Sequence, residues 1–391
     1  MVTTSFLYSV GGSLLWNDPS YIVRAADQLL HDAITQRQFA YVLGARQVGK
    51  SSLRVQARHR LIQQGYQCVT IQANQLNDAL PSGPQSPDLS ASAQSNASSD
   101  LPSLPSSNAW CAGLVSTVYS EIKPTDLGSL RRWLKSTAGL PSSLRLSRFV
   151  DDLLKDTLSA GPLVIFIDEI DALLASSFTA ELFDWIARCY DLRKENPLYN
   201  NLNFVVLGSA IAADLPQPGN LFRLGREVSL PPFQLMETYR FNQGFEEKIE
   251  DSTMLLKAIY KWTYGQPFLT QKLCQLMSDT MDRLIQPSHK PMALSPKTIG
   301  QWVDDTVRSH ILKDWQTKDE PIHLRAIGDR INRSFNKKAL LQLYKTLLTD
   351  RVVLADGSYT QAELVLSGLV IEQDGYIQVA NEIYRHVFVL K

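Results

Sequence analysis

The chain has no net charge to offer an anionic partner, because Lys plus Arg and Asp plus Glu each number 39. A balanced chain has no overall field that would draw it to nucleic acid or an acidic membrane, so either partner would need a local patch. Cysteine is also scarce. Cys68, Cys111, Cys189 and Cys274 stand far apart, with no C-x-x-C pair and no Cys/His ligand spacing. That excludes a zinc ribbon or a disulfide framework and predicts reduced core thiols. No stretch approaches the roughly 18 apolar residues of a membrane span. Residues 1–15 lack the basic start and apolar run of a secretory leader. The expected location is the cytoplasm, with no membrane partner. The lack of internal repeats and sustained heptads excludes a solenoid or coiled coil. What is present is ordinary for globular proteins: 391 residues, 44% hydrophobic and 20% charged, enough for two or three domains with their own cores.

Periodicity places those domains. Residues 21–34 carry apolar positions at helical spacing and residues 39–43 read as a buried strand. A glycine-containing turn follows, then a helix from Ser51 that stops at Gly65 and a strand at 68–71. Residues 74–108 turn to Ser, Pro, Asn and Gln and predict a disordered insertion. Helices are predicted at 110–122, 144–158 and 178–190, and strands at 163–167, 204–207 and 227–230. Alternating strands and helices predict an α/β fold with a parallel sheet. Residues 235–281 read as wholly helical, broken by Gly265 and Pro267. Further on, helices at 327–332, 338–349 and 362–367 precede a strand pair at 369–372 and 376–379, which together suggest a winged helix. The expected domains are a leader (1–35), a P-loop core (36–232), a helical lid (233–294) and a winged-helix domain (295–391).

Residues 44–51 match G-x-x-x-x-G-K-[ST] without a gap, between a predicted strand and a predicted helix. Glycines at 44 and 49 let the backbone amides of Ala45, Gln47 and Val48 turn toward phosphate, and the helix start adds its positive end through Lys50, Ser51 and Ser52. Lys50 reaches the β and γ phosphates; Ser51 can ligand Mg²⁺. Asp168 and Glu169 end the apolar strand 163–167, where Asp168 can hold Mg²⁺ and Glu169 can polarise an attacking water. Ser209 follows another strand, as either a γ-phosphate sensor or a turn residue. Arg223 and Arg226 are candidates for facing phosphate, or are simply solvated. Arg46 has no evident partner. His59, His310 and His323 form no ligand cluster and read as surface residues.

With those residues placed, the chain resembles the AAA-like domain family of bacterial proteins, within the STAND signal-transduction ATPases related to AAA+ and origin-recognition proteins. The resemblance rests on Gly11-Gly12-Ser13-Leu14, Tyr21-Ile22-Val23-Arg24, Phe166-Ile167-Asp168-Glu169-Ile170-Asp171, Gly265-Gln266-Pro267-Phe268-Leu269-Thr270, Leu366-Ser367-Gly368-Leu369-Val370 and Asn381-Glu382-Ile383-Tyr384. It implies that Tyr21, Val23 and Arg24 help hold adenine, that Gly265 and Pro267 bring the lid to the nucleotide, and that the winged helix closes over it. Two departures stand out. Many AAA+ machines carry an arginine just after the lid glycine, where this chain has Pro267 and Phe268; and the position at which some STAND relatives carry an ADP-contacting histidine falls near Ala380 and Asn381.

The leading expectation is therefore an ATP/ADP switch with Mg²⁺, hydrolysing slowly and working through protein partners or nucleotide-dependent self-assembly. One alternative is a DNA-binding ATPase. Arg325, Arg330, Arg333, Lys337, Lys338 and Lys345 form a basic stretch against Asp329, although a solvated face is the favoured reading in so neutral a region. Another alternative is a scaffold that binds ATP without hydrolysing it.

Overall fold

The computed structural model describes residues 6–78, 107–157, 161–176, 178–284 and 290–389. The first part of the chain alternates between strand and helix: α1 (Ala25–Thr35), β1 (Ala40–Leu43), α2 (Lys50–Gln63), β2 (Gln67–Gln72), α3 (Ala73–Asp78), α4 (Ser107–Ile122), α5 (Leu127–Ser136), α6 (Ser142–Thr157), β3 (Leu163–Asp168), α7 (Thr179–Asp191), β4 (Leu202–Gly208), α8 (Leu221–Leu224) and β5 (Arg226–Glu227). All five strands pair in parallel in the order β2-β3-β4-β1-β5. The fold is thus the α/β, parallel-sheet fold that the pattern predicts. Because β3 and β4 insert between β1 and β2, the carboxyl ends of β1, β3 and β4 lie side by side, the edge where open α/β sheets bind ligands.

Strand β3 shows why that edge is rigid. Leu163, Ile165 and Ile167 enter one buried cluster, with the α4, α6 and α7 side chains, while Val164 and Phe166 enter the other, with those of α1 and α2. A strand covered on both faces reads as a continuous apolar run, which is what residues 163–167 are.

Several boundaries differ from expectation. Residues 73–78 and 107 onward are helical, so the ends of the predicted insertion are ordered; residues 79–106 lie outside the described residues. Helix α5 lies between the predicted helices at 110–122 and 144–158, where the sequence pattern named no element. Leu130, Trp133 and Leu134 turn one face of it to the core, and its start is capped by the Asp126 side chain accepting the Ser129 amide. The last strand is Arg226–Glu227 rather than 227–230, held by the amides of Arg226 and Val228 on the carbonyls of Phe39 and Tyr41. All four cysteines are free and buried.

The rest is helical: α9 (Leu235–Thr238), α10 (Ser252–Thr263), α11 (Pro267–Leu284), α12 (Pro296–Val307), α13 (Trp315–Lys318), α14 (Leu324–Arg333), α15 (Lys337–Asp350), α16 (Tyr359–Ser367) and α17 (Glu382–Val387). A small antiparallel sheet, ordered β6-β8-β7, completes it: β6 (Val352–Leu354), β7 (Val370–Gln373) and β8 (Tyr376–Val379). The predicted hairpin therefore gains a third strand. One hydrophobic cluster runs from Phe233 and Leu255 through Met277 and Val303 to Leu340, Ile377 and Tyr384. The helical segment and the C-terminal unit thus share a core across residues 294 and 295, where a domain boundary was expected. Among the described residues no helix is long and apolar enough to cross a membrane.

Candidate functional site

The phosphate loop connects β1 to α2. Gly44 and Gly49 take φ of 154° and 99°, values that side chains disfavour, and a Cβ on Gly49 would meet the Arg24 guanidinium at 2.7 Å. Gln47 sits at φ 60° and is the loop's one non-glycine residue in the left-handed region. The Lys50 ammonium donates to the carbonyls of Gly44 (2.8 Å) and Ala45 (2.5 Å) and to Ser209 Oγ (3.1 Å). Burial pushes the Lys50 pKa down to about 8, while Asp171 and Asp168 oppose the shift.

Ser209 follows β4 beside β1 and is part of this constellation, not an isolated turn residue: its amide donates to Asp171 Oδ1 at 2.8 Å. The other Asp171 oxygen faces Arg46 at 3.5 Å, which gives Arg46 the partner that its sequence context did not suggest. Asp168 is buried, with Oδ2 taking the Arg54 Nε–H at 2.9 Å and Oδ1 the Glu169 amide at 3.0 Å. Glu169 is exposed, with φ 59°, a conformation that costs a non-glycine residue on the order of 1–3 kcal/mol and tends to persist at functional positions.

Ser51 on the first turn of α2 and Asp168 across the edge offer the oxygen donors that Mg²⁺ prefers. Each carboxylate oxygen keeps a lone pair beyond the bonds just named, so a bridging water fits. Among the described residues no cluster of three His, Cys, Asp or Glu surrounds them. That suits Mg²⁺ held by one carboxylate, one hydroxyl and phosphate oxygens.

Beside the loop lies a cleft lined by Gly11, Tyr21, Arg24, Gln47, Ser52 and Pro267, among others. The Arg24 guanidinium is buried there, 5.2 Å from the Phe233 ring centre, and donates to the carbonyls of Val48 (3.1 Å) and Pro231 (3.3 Å). Burial lowers its pKa, and burial followed by the neighbouring Asp27 carboxylate raises that of Tyr21. Ser52 Oγ accepts the Leu14 amide at 3.0 Å, tying the leader to α2.

Some predicted residues are placed otherwise. Val23 is 70% exposed and does not line the cleft, whereas its neighbours Tyr21, Ile22 and Arg24 do. Gly265 acts through packing: a Cβ there would lie 1.9 Å from the Phe233 carbonyl oxygen, while Pro267 is the residue that lines the cleft. Arg223 donates to Asn220 within its own turn, and Arg226 is exposed on β5, so neither is brought to the loop.

His323 corrects the expectation of a surface residue. It is buried, bonds Gln47 Oε1 and Tyr384 Oη, and stacks on Phe268 at 4.5 Å. Gln47 also donates to the Ile322 carbonyl at 3.0 Å, and its own carbonyl accepts from Gln266 Nε2 at 3.3 Å. The basic stretch is divided as well. Arg325 pairs with Asp319 and Glu320, whereas Arg330 Nη2 reaches the Ser209 carbonyl at 3.5 Å.

A glycine-turned loop, a partly buried lysine and a strand-end acid pair on one sheet edge are the parts of a P-loop nucleotide site. Residues 133–294 match the family model described as an AAA-like domain. The chain contains an AAA-like domain. The match takes in β3, the acid pair, β4 and the helical segment through α11; the phosphate loop precedes it. Over 385 residues the chain is 32% identical to an uncharacterised WD repeat-containing protein of Synechocystis sp., covering 97% of this chain and 30% of that protein. The chain therefore spans about a third of the length of the curated relative it matches. Among solved structures, a Walker-type ATPase of Pyrococcus abyssi is similar in fold, with a TM-score of 0.54 and 15% identity over 97% of this chain and 99% of that one. The matched segment and the P-loop that precedes it together support a nucleotide-binding, ATPase-type unit.

Proposed function

We propose that the chain is an ATP-driven conformational switch in which the C-terminal unit, read as a winged helix, closes on the phosphate loop and releases from it with nucleotide state. The observation that carries this reading is Gln47. One loop residue bonds the helical segment through Gln266 and the C-terminal unit through Ile322 and His323. Ala45 adds a contact with Gly368, where a Cβ would stand 3.2 Å from the Ala45 methyl. A loop that shifts to accommodate phosphate must disturb both neighbours, which gives ATP and ADP different contacts in the closed and open forms.

Within the site, Lys50 and the loop amides hold the phosphates, and the cleft between Tyr21, Arg24 and Pro267 takes the base. Asp168 and Ser51 hold Mg²⁺, which would neutralise charge on the β and γ phosphates. Glu169, exposed at the strand end, accepts a proton from the attacking water as the γ P–O bond breaks. Turnover is slow and serves as reset. The output passes to protein partners or to other copies of the chain. A DNA-reading role draws less support, since two of the six basic residues considered for it are engaged elsewhere.

The test is solution scattering and mass measurement of the whole chain with ADP and with a slowly hydrolysed ATP analogue, alongside Glu169→Gln. The switch predicts different profiles for the two nucleotides, and a variant that binds ATP normally but loses turnover ~100-fold or more. Identical profiles would dismiss the switch; unchanged turnover in the variant would remove Glu169 from its role.

A further inference from the structure

Arg330 is the cation that the phosphate site receives from outside the AAA-like domain. It lies on α14, yet its Nη2 sits 3.5 Å from the Ser209 carbonyl, and the Ser209 hydroxyl takes the Lys50 ammonium at 3.1 Å. The guanidinium is partly buried, and among the described residues it forms no ion pair. The charges that face it are Asp171 and Arg46 from the site, and Glu363 with the Tyr359 hydroxyl from α16. Asp171 is committed to Ser209 and Arg46, and Glu363 accepts from Asn336 at 3.2 Å. A guanidinium has five N–H donors, and Arg330 uses one, in a long bond. Withdrawing it from water without a paired anion is costly, so the arrangement suits an anion that arrives later.

Helix α14 also fixes where that anion must be. His323, the residue that caps its start, rests on Gln47 in the loop, and Arg330, seven residues on, reaches Ser209 just past the end of β4. Seven residues of helix rise about 10 Å, so α14 runs across the mouth of the loop from Gln47 to the Lys50 and Ser209 pair.

We infer that Arg330 contacts the terminal phosphate of a nucleoside triphosphate bound at Lys50, so that the C-terminal unit itself distinguishes triphosphate from diphosphate. This rests on the P-loop reading above. A diphosphate ends at the loop and leaves the guanidinium unpaired; a triphosphate extends to it and accepts two N–H groups in the fork geometry that arginine provides. Binding of ATP and docking of α14 thereby become one event.

The test is calorimetric titration of the full chain with ADP and with β,γ-imido ATP, each with Mg²⁺, for wild type, Arg330→Ala, Arg330→Lys and Lys50→Ala. The Ala variant should bind the triphosphate analogue ~10- to 100-fold more weakly, the range for a hydrogen bond to a charged group, and should bind ADP as wild type does. The Lys variant should recover part of the loss, because it keeps the charge and loses the fork. The inference is overturned if Arg330→Ala weakens both nucleotides alike, or neither. If the Ala variant does not fold, Arg330→Lys decides: undiminished preference for the triphosphate overturns the inference, and a selective loss for the triphosphate supports it. A wild type that binds neither nucleotide, or a Lys50→Ala variant that binds both normally, would overturn the P-loop reading itself and the inference with it. Those outcomes differ from the others because they appear without any change at position 330.

Discussion

Lys50 shows how much one side chain depends on its surroundings. The motif names it as a phosphate ligand, but burial sets its protonation, holding its pKa near 8. Its charged form is disfavoured in the folded protein, so phosphate must meet an ammonium that is present below pH 8 and is lost as pH rises through it. Affinity for ADP should therefore fall between pH 8 and 10, by up to about tenfold per pH unit. Binding at pH 9 should take up a proton, measurable by calorimetry in buffers of different ionisation enthalpy. Pairing at this scale escaped the sequence. Arg46 and Asp171 are far apart in the chain, and Arg54 on α2 meets Asp168 only because β3 returns beside β2. His323 left a trace: with Ile327, Arg330 and Ile331 it follows i, i+4, i+7 and i+8 spacing, one face of a helix, so an inward histidine and arginine were readable there.

Among the elements, strands and helices with strong apolar patterns emerged at nearly their predicted bounds, while those defined by pairing or caps did not. Strand β5 has two exposed residues and exists because β1 offers it carbonyls. Pro267, taken from the sequence as part of a break, opens α11, where a missing amide hydrogen costs nothing. The turn before it is fixed by Gly265, at φ 75° with the Phe233 carbonyl against its α-carbon and the Phe233 amide bonded to its own oxygen at 2.8 Å. Gly265→Ala should destabilise the protein by more than about 3 kcal/mol, since it combines an impossible contact with a disfavoured φ. Thermal unfolding would check this, with Gly300→Ala as a control on α12, where an added Cβ meets nothing within 4 Å.

Across the whole molecule, the phosphate loop, the helical segment and the C-terminal unit meet at His323. His323 is buried between the phosphate loop, Phe268 and Tyr384, and burial lowers its pKa to about 3, with the nearby Lys272 adding to the shift and Asp319 opposing it. Above pH 6.5 the histidine is neutral folded and unfolded and has no effect; between pH 6.5 and 3 only the unfolded chain takes the proton. Stability should therefore fall with acid across that window, with His323 contributing up to ~1.4 kcal/mol per pH unit, and His323→Gln should flatten the slope in denaturant titrations at pH 4 to 6.5. By itself the sequence determined the parallel sheet, the phosphate loop and its acid pair, because these follow from local periodicity and from residues adjacent in the chain. Only the tertiary structure decided that Gln47, Gln266 and His323 meet, that the group Arg330 reaches is Ser209 beside Lys50, and that Val23 lies outside the cleft. Each of those depends on which face of one element is buried against another distant in sequence, and no local pattern encodes that pairing.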